Sequence, residues 1–284
     1  MDETTKLWYM QASPLYETER PYHIFEPLPP ECKPGNLSFE LGPPQSIKDV
    51  RGHEREYTLQ IHGFAFKSRI LPNVNWNDET DISTKYIEDL RRALSEVPGL
   101  GSDIETCKIL DWRIRKSGSE NVLENPGADR MVKISPAYIV HIDQSPAGVL
   151  HRIRKQFGAE IEALIHGHRV QVINIWRPLV AVVEDLPLAL CDARTVSQED
   201  LVETEFINTD DIRRSYMVKY SDSFQFHYLS RMTKDEICIF KVFDSADVET
   251  KWVPHAAFNH AVPSPDYAPR ESIEVRFLVF SPEP

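Results

Sequence analysis

The sequence HRVQVINIWRPL, residues 168–179, is a run of β-branched and aromatic residues that ends in turn-forming residues. Four similar runs follow it: PLALCDA (187–193), DEICIFKVFDS (235–245), KWVPHAAF (251–258) and SIEVRFLVF (272–280). Helices do not alternate regularly with these runs, as they would in a parallel sheet with crossover helices. The pattern therefore predicts a mainly antiparallel barrel or jelly roll (double-stranded β-helix, cupin-like) in the second half of the chain.

Helical patterns lie before this β region. Residues 83–97 carry apolar side chains at helical spacing, and Pro98-Gly99 ends the pattern. A second helix is predicted to begin at Ser145, a suitable N-cap followed by proline, and to end at Gly167. We therefore expect a mainly β (α+β) fold with helices flanking the jelly-roll core.

The length and the proline content indicate how the chain is organised. Its 284 residues suit one large β domain, so we expect a single domain over residues 1–284. Prolines are frequent in residues 1–50, and proline disrupts helix interiors. This segment is predicted to be an extended N-terminal arm, and residues 130–282 are predicted to form the jelly-roll core.

Charge and composition exclude several classes of partner. The net charge is −12, whereas a nucleic-acid-binding protein needs a basic surface to neutralise phosphates. No apolar run reaches the roughly 18 residues of a membrane-spanning helix, and the N-terminus lacks a signal-peptide pattern. The four cysteines have no zinc or redox spacing. We expect a soluble, cytoplasmic protein without a nucleic-acid or membrane partner.

The segment His141-Ile142-Asp143 follows an apolar run and has the spacing of a metal site. Alternate residues of a strand point to the same side, so this imidazole and this carboxylate would lie together. His255, in a later predicted strand, can supply a third ligand. Two histidines and one carboxylate on one face of a non-haem iron leave positions open for a cosubstrate and O2. A His-x-Asp pair alone is equally compatible with a surface turn or a core histidine.

The last predicted strand adds a possible carboxylate site. Arg270 and Ser272 share one strand face, and a guanidinium beside a hydroxyl suits the distal carboxylate of 2-oxoglutarate. Arg276 has the same strand parity and is the alternative to Arg270. Both faces of this strand should be buried, so Glu274 and Arg276 need a ligand or partners there. They could equally pair with other side chains in a polar core.

Several ordered blocks of the sequence resemble one known family, the fungal hydroxylase/desaturases that include AsaB-like proteins, the gibberellin desaturase and the bacterial CmcJ-type proteins. The match runs from about residue 130 to residue 282, and the amino-terminal half is similar only loosely. The blocks are YIVHIDQSPAG (138–148), INIWRPL (173–179), DLPLALCDARTV (185–196), MTKDEICIFKVFDS (232–245), PHAAF (254–258) and PRESIEVRFLVF (269–280).

The resemblance implies a catalytic domain with a double-stranded β-helix fold. It also implies Fe(II), the cosubstrates 2-oxoglutarate and O2, and a role in natural-product biosynthesis. It supports His141, Asp143 and His255 as catalytic metal ligands, and it leaves the oxidative outcome open between hydroxylation, desaturation and other rearrangements. The aromatic-rich strands and the acidic balance favour a neutral, apolar small-molecule substrate such as a terpenoid, meroterpenoid or polyketide.

The spacing between the ligands departs from plant-type oxygenases, because Asp143 and His255 are 112 residues apart. We therefore predict an insertion at residues 195–230 that forms part of a lid or the contact of a possible homodimer. Its aromatic residues favour a pocket wall or an interface, and Phe224 and Phe226 are predicted to affect specificity. The alternative is an extra pair of strands whose aromatic side chains fill the domain's own core.

Two other functions are compatible with the same scaffold. One is a cupin-type metal enzyme that works without 2-oxoglutarate; it would need no arginine for a carboxylate, so Arg270 and Ser272 disfavour it. The other is a non-catalytic binding or pathway-assisting protein, which the intact set of metal-ligand residues disfavours.

Overall fold

The structure, a computed structural model, describes residues 1–100, 103–119, 130–260 and 266–283. The strands are β1 (Glu3–Thr5), β2 (Trp8–Met10), β3 (Tyr22–Ile24), β4 (Phe39–Leu41), β5 (Gln45–Asp49), β6 (Phe64–Ser68), β7 (Thr106–Lys116), β8 (His141–Ile142), β9 (Arg169–Pro178), β10 (Leu188–Cys191), β11 (Leu201–Asn208), β12 (Asp211–Val218), β13 (Phe226–Tyr228), β14 (Glu236–Asp244), β15 (His255–Ala257) and β16 (Glu271–Ser281). The helices are α1 (Leu15–Thr18), α2 (Glu79–Asp81), α3 (Ile87–Ser95), α4 (Pro146–Phe157) and α5 (Glu162–Gly167). A π-helical turn at Ile82–Tyr86 joins α2 to α3, and short 3₁₀ turns lie at Glu54–Glu56, Ala159–Ile161, Ala193–Thr195 and Gln198–Asp200. None of the helices in these ranges is long and apolar enough to cross a membrane.

Two large sheets form the body of the fold. Within the described residues one sheet has nine strands in the order β1-β5-β13-β10-β15-β8-β12-β11-β3, and the other has five in the order β6-β14-β9-β16-β7. Almost all neighbouring strands are antiparallel; β3 with β11 and β5 with β13 are the parallel pairs. Apolar side chains from both sheets share one core. The predicted mainly β jelly-roll fold with flanking helices is confirmed.

The five-stranded sheet is buried on both faces, as the pattern of its last strand predicted. On the outer face, Ile273 and Val275 pack against Ile87 and Leu90 of the helical segment 79–95. That segment was predicted at 83–97. The inner face of β16 turns Ser272, Glu274 and Arg276 towards the nine-stranded sheet, where all three are buried. Polar side chains on this inner face supply part of the candidate site.

Helix α4 begins where the sequence predicted, but it ends early. The Ser145 hydroxyl accepts a hydrogen bond from the Gly148 amide at 3.1 Å, and Pro146 follows the cap. The predicted single helix to Gly167 is wrong, because Gly158 has φ +67° and the chain cannot continue as an α-helix there. A Cβ at Gly148 would lie 2.1 Å from the Arg214 carbonyl oxygen, so only glycine lets α4 lie this close to β12.

The two sheets extend beyond the predicted core at 130–282. Strands β1 and β5 of the N-terminal arm pair with each other in the nine-stranded sheet, and β6 and β7 belong to the five-stranded sheet. Strand β7 was not predicted, because charged residues at every second position hide its strand character. Asp111, Arg113 and Arg115 lie on one side of it, while Trp112 and Ile114 on the other side pack in the apolar layer beneath the helix.

Candidate metal centre

Two neighbouring strands bring the candidate ligands together. Strand β8 pairs with β15 so that His141 lies directly opposite His255, and Asp143 follows β8 in the chain. The Nε2 atoms of His141 and His255 lie 3.6 Å and 3.8 Å from the two carboxylate oxygens of Asp143. One donor atom from each of the three residues can be chosen so that all lie within 4.8 Å of one another. The predicted set is therefore assembled in space.

Main-chain carbonyl groups fix both imidazole rings. Nδ1 of His141 lies 2.8 Å from the Ile139 oxygen, and Nδ1 of His255 lies 3.0 Å from the Val253 oxygen. Each Nδ1 must carry the proton to donate these bonds, so each Nε2 presents a lone pair to a metal. Burial and the neighbouring His141 lower the pKa of His255 to about 3, which keeps this ring neutral.

The Asp143 carboxylate is held by two side chains from the facing sheet. Asn174 Nδ2 donates to Oδ2 at 2.6 Å, and Nη2 of Arg276 lies 3.0 Å from Oδ1. The Ser215 hydroxyl also donates to the Asp143 main-chain oxygen at 2.7 Å. Burial alone would raise the pKa of Asp143, but the Arg276 guanidinium holds it well below its usual range. The carboxylate is therefore charged and oriented without a metal.

Asn174 makes a testable contribution to this arrangement. Replacing it with alanine removes the donor to Asp143 and the acceptor for Arg276 Nε at 3.2 Å. Because side chains that orient a metal ligand typically contribute 10- to 100-fold in affinity, Asn174→Ala should weaken Fe(II) binding at least about tenfold. Competition with a chelator measures this. Gln171→Ala, on the same strand, is the control, and equal dissociation constants for both variants would contradict the role.

Arg270 lies in a second, deeper part of the site. Its guanidinium is fully buried, 4.9 Å above the Trp176 ring, and it donates to Ser272 Oγ at 3.3 Å and to the Leu186 carbonyl. Burial, and next the charge of Arg115, lower its pKa to about 9. Among the residues that the structure describes, no carboxylate forms an ion pair with it. Arg270 shares the lining of a narrow cavity of about 20 Å³ with His141 and His255.

A much larger cavity of about 690 Å³ opens beside the metal-ligand residues. Its lining includes His141 and Asp143 themselves. The other described lining residues come from the N-terminal arm, β7, the segment before β8, α4, β11, β12, β16 and the chain after β15: Trp8, Phe39, Arg115, Ser135, Pro136, Ala137, Tyr138, Ile139, Arg152, Phe206, Arg213, Ser215, Met217, Asn259 and Arg276.

Several of these residues were missed from the sequence. Asn174, which contacts Asp143 and is not among these lining residues, was also missed, although it shares a strand face with Trp176. Arg213, Ser215 and Met217 alternate on β12 in the way that a pocket-lining strand requires. Arg115 lies on the unpredicted strand β7. Conversely, Phe224 and Phe226 are not among the described residues that line the large cavity. Phe226 is buried in the core between the sheets, and the half-buried Phe224 packs against Phe226 and Tyr9.

The donor set fits a redox iron. Two imidazole nitrogens and one carboxylate are grouped on one side, next to open cavity space, which matches three protein ligands with positions left for other ligands. A structural zinc site would instead surround its metal with four protein ligands.

Known proteins with similar sequences and structures point the same way. A family model described as an oxidoreductase/YMDC permease-like domain (YDMC) matches residues 7–280. The Fe(II)/2-oxoglutarate-dependent dioxygenase nvfI of Aspergillus novofumigatus is 29% identical over 258 residues, covering 87% of this chain and 88% of that protein. The hydroxylase/desaturase efuI of Hormonema carpetanum is 30% identical over 255 residues, covering 84% and 83%. A solved structure, iron and alpha-ketoglutarate-dependent endoperoxidase NvfI, matches with a TM-score of 0.84 and 26% identity over 99% of both chains.

The chain belongs to this oxidoreductase family and, within it, to the fungal hydroxylase/desaturases. It is a non-haem Fe(II)/2-oxoglutarate-dependent dioxygenase, with O2 as the other cosubstrate. The predicted family, enzyme class and cofactors are confirmed. The roles of individual residues stay predictions.

Proposed function

We propose that His141, Asp143 and His255 hold the catalytic Fe(II). The observation that carries this proposal is the grouping of their donor atoms within 4.8 Å, with both Nδ1 atoms bound to main-chain carbonyls. When bound, Fe(II) and 2-oxoglutarate supply the oxidising chemistry: O2 is reduced, 2-oxoglutarate becomes succinate and CO2, and the substrate is oxidised. The residues of the chain hold the metal, orient both cosubstrate and substrate, and exclude water.

Arg270 and Ser272 bind the distal carboxylate of 2-oxoglutarate in this proposal. The support is that a fully buried guanidinium without a carboxylate partner in the described chain lies beside both histidines. A buried cation is stabilised by an oxyanion in charge-assisted hydrogen bonds. Arg276, the alternative predicted from strand parity, is engaged by Asp143 at 3.0 Å and Glu274 at 3.2 Å. We assign it to positioning Asp143.

The substrate in this proposal is a small natural product, a terpenoid, meroterpenoid or polyketide, that the enzyme hydroxylates, desaturates or rearranges oxidatively. Similar proteins named as hydroxylase/desaturases and as an endoperoxidase support this range of outcomes. The cavity of about 690 Å³ is of the size that takes a small-molecule ligand. The residues of its wall determine which carbon of the substrate lies nearest to the metal.

A turnover assay with purified protein tests the proposal. With Fe(II), 2-oxoglutarate and O2, we expect succinate in proportion to a product that has gained oxygen or lost two hydrogens, detected by mass spectrometry against fungal terpenoid and polyketide intermediates. Iron-dependent oxidation that continues without 2-oxoglutarate would favour the cupin-type enzyme. If one of the tested pathway compounds binds but no succinate forms with any of them, the result would favour the non-catalytic binding protein.

For residues 195–230 we propose a role in the cavity wall. Phe206, Ser215 and Met217, from the hairpin β11–β12, line the large cavity, which supports this role over that of the predicted homodimer contact. Measurement of the oligomeric state distinguishes the two roles. A dimer that is dissociated by Ile212→Arg, a substitution at an exposed position of the same hairpin, would favour the homodimer contact.

Phe206→Ala should change specificity, because it removes an aromatic ring from the cavity wall. We expect kcat/KM for the substrate to fall by about 10- to 100-fold, the range for lost contacts in an apolar pocket, with Fe(II) content and KM for 2-oxoglutarate unchanged. Phe224→Ala is the control because Phe224 packs against Tyr9 in the core. If Phe224→Ala alters the product ratio and Phe206→Ala does not, the assignment of the wall is wrong.

The remaining parts of the proposal concern the whole chain. We propose that residues 1–284 act as one catalytic unit, supported by a family match from residue 7 to residue 280. We also propose a cytoplasmic location, supported by four cysteines that form no disulfide bond with one another.

A further inference from the structure

Arg152 brings a charge into the wall of the large cavity that the metal chemistry does not use. It projects from α4 and lines the cavity; its Nη2 donates to the Leu110 carbonyl oxygen at 3.1 Å and forms an ion pair with Asp111 Oδ2 at 3.0 Å. Its Nη1 is buried and has no hydrogen-bond partner among the described residues. An arginine so enclosed retains donor capacity that this part of the chain leaves unused.

Asp111 does not balance this charge alone. The same carboxylate lies 3.5 Å from Arg130 Nε and 3.9 Å from Arg276 Nη1, so three guanidinium groups share it. Burial lowers the pKa of Arg152, and the nearby Arg276 and Arg213 add to this effect, while Asp111 opposes it. A second oxyanion at this wall would stabilise the charged form of Arg152.

The cavity is lined by two chemically different kinds of side chain, charged and apolar. Its described lining includes Arg152 and Arg276, and Arg276 is engaged by Asp143 and Glu274. Large apolar side chains form another part of the lining: Trp8, Phe39, Ile139, Phe206 and Met217. Such a cavity matches a ligand with a carbon skeleton and one anionic end.

We propose that the substrate is an amphipathic organic acid whose carboxylate binds Arg152 while its skeleton lies against the apolar wall. The inference rests on the proposed function, because it takes the large cavity as the substrate site. It replaces the neutral substrate expected from the sequence. The cosubstrate does not account for Arg152, because 2-oxoglutarate is assigned to the metal and to Arg270, and Arg152 is not part of the narrow cavity around Arg270.

A pair of fluorescent probes tests this proposal without a known substrate. Anilinonaphthalene sulfonate and N-phenylnaphthylamine share a skeleton, but only the first carries an oxyanion. Both are titrated into protein loaded with 2-oxoglutarate and redox-inert Mn(II). We expect the sulfonate to bind at least about tenfold more tightly than the neutral probe, as a charge-assisted contact requires. Arg152→Met should abolish this preference, and Arg152→Lys should retain part of it.

Two controls locate the effect. Arg154→Met removes a charge from the same helix at an exposed ion pair with Glu162 and should change nothing. Met217→Trp fills the cavity and should weaken both probes equally. The proposal is overturned if Arg152→Met keeps the preference for the sulfonate, or if it weakens 2-oxoglutarate instead. Should Arg152→Met not fold, equal affinities of the two probes in the unaltered protein overturn it.

These outcomes are separate from those of the proposed function. Probe binding requires no turnover, whereas the metal and 2-oxoglutarate assignments are tested by Fe(II) content and succinate. A protein that produces succinate but shows no anion preference retains its proposed function and loses only the acidic substrate.

Discussion

Asp143→Ala is expected to remove turnover and to reduce bound Fe(II) from roughly one equivalent per chain to below about a tenth of that. Losing a residue that merely orients a ligand already costs 10- to 100-fold in affinity, so losing the ligand must cost at least as much. The substitution also leaves Arg276 buried without this carboxylate. His141→Ala and His255→Ala should have the same effect on iron and turnover.

Iron analysis after gel filtration, together with succinate formation, measures the result. Asp247→Ala is the matched control, because its carboxylate is exposed and pairs with Lys251 on the surface. Full activity with unchanged iron in Asp143→Ala would refute the assignment of the ligands. A variant that has lost its thermal unfolding transition says nothing about ligation, so the circular dichroism of each variant is compared first.

Arg270→Met should raise KM for 2-oxoglutarate by about 10- to 100-fold, the loss expected for a charge-assisted contact with a carboxylate. Methionine fills much of the arginine's volume, which limits the cavity left beside Trp176. Arg276→Met should act differently: it removes the guanidinium next to Asp143, so it should weaken Fe(II) more than 2-oxoglutarate. The contrast between the two variants tests both assignments together.

Titration of 2-oxoglutarate against the Fe(II) form, followed by the absorption of the complex, separates the two effects. If Arg276→Met weakens 2-oxoglutarate while Arg270→Met leaves its affinity unchanged, the two arginines exchange roles. Arg194→Met serves as control, since Arg194 is half-exposed and pairs locally with Asp192.

Strand-rich patterns and the position of the metal-ligand residues could be predicted because they depend on local sequence. Alternation on β16 correctly indicated two buried faces, and His141-Ile142-Asp143 correctly indicated a shared side. Contacts between distant strands could not be predicted in this way. Asn174 reaches Asp143 only because β9 faces β8 across the core. The sequence around Asn174 does not indicate that it lies near Asp143.

The overall charge does not show where each sign lies in the fold. A net charge of −12 favoured a neutral substrate, whereas Arg152 in the cavity wall is the basis for proposing an acidic one. Arg152 and Arg154 both belong to α4, and Arg154 forms an exposed ion pair with Glu162. The two residues lie on different sides of the helix, because they are two positions apart: Arg152 turns inward to Asp111 and Arg154 turns outward.

With the ligands proposed above, the pairing of β8 with β15 links iron loading to the order in which the chain is completed. A nascent chain that ends before residue 255 can offer only His141 and Asp143, which is a weak chelate. Closing a loop of 112 residues to bring His255 alongside costs about 4 kcal/mol of chain entropy, and the formation of the sheet provides the compensating contacts. The metal therefore binds only after the last strands have joined the sheets. Cells that make this enzyme during iron limitation would accumulate a folded apoprotein with its ligands already aligned.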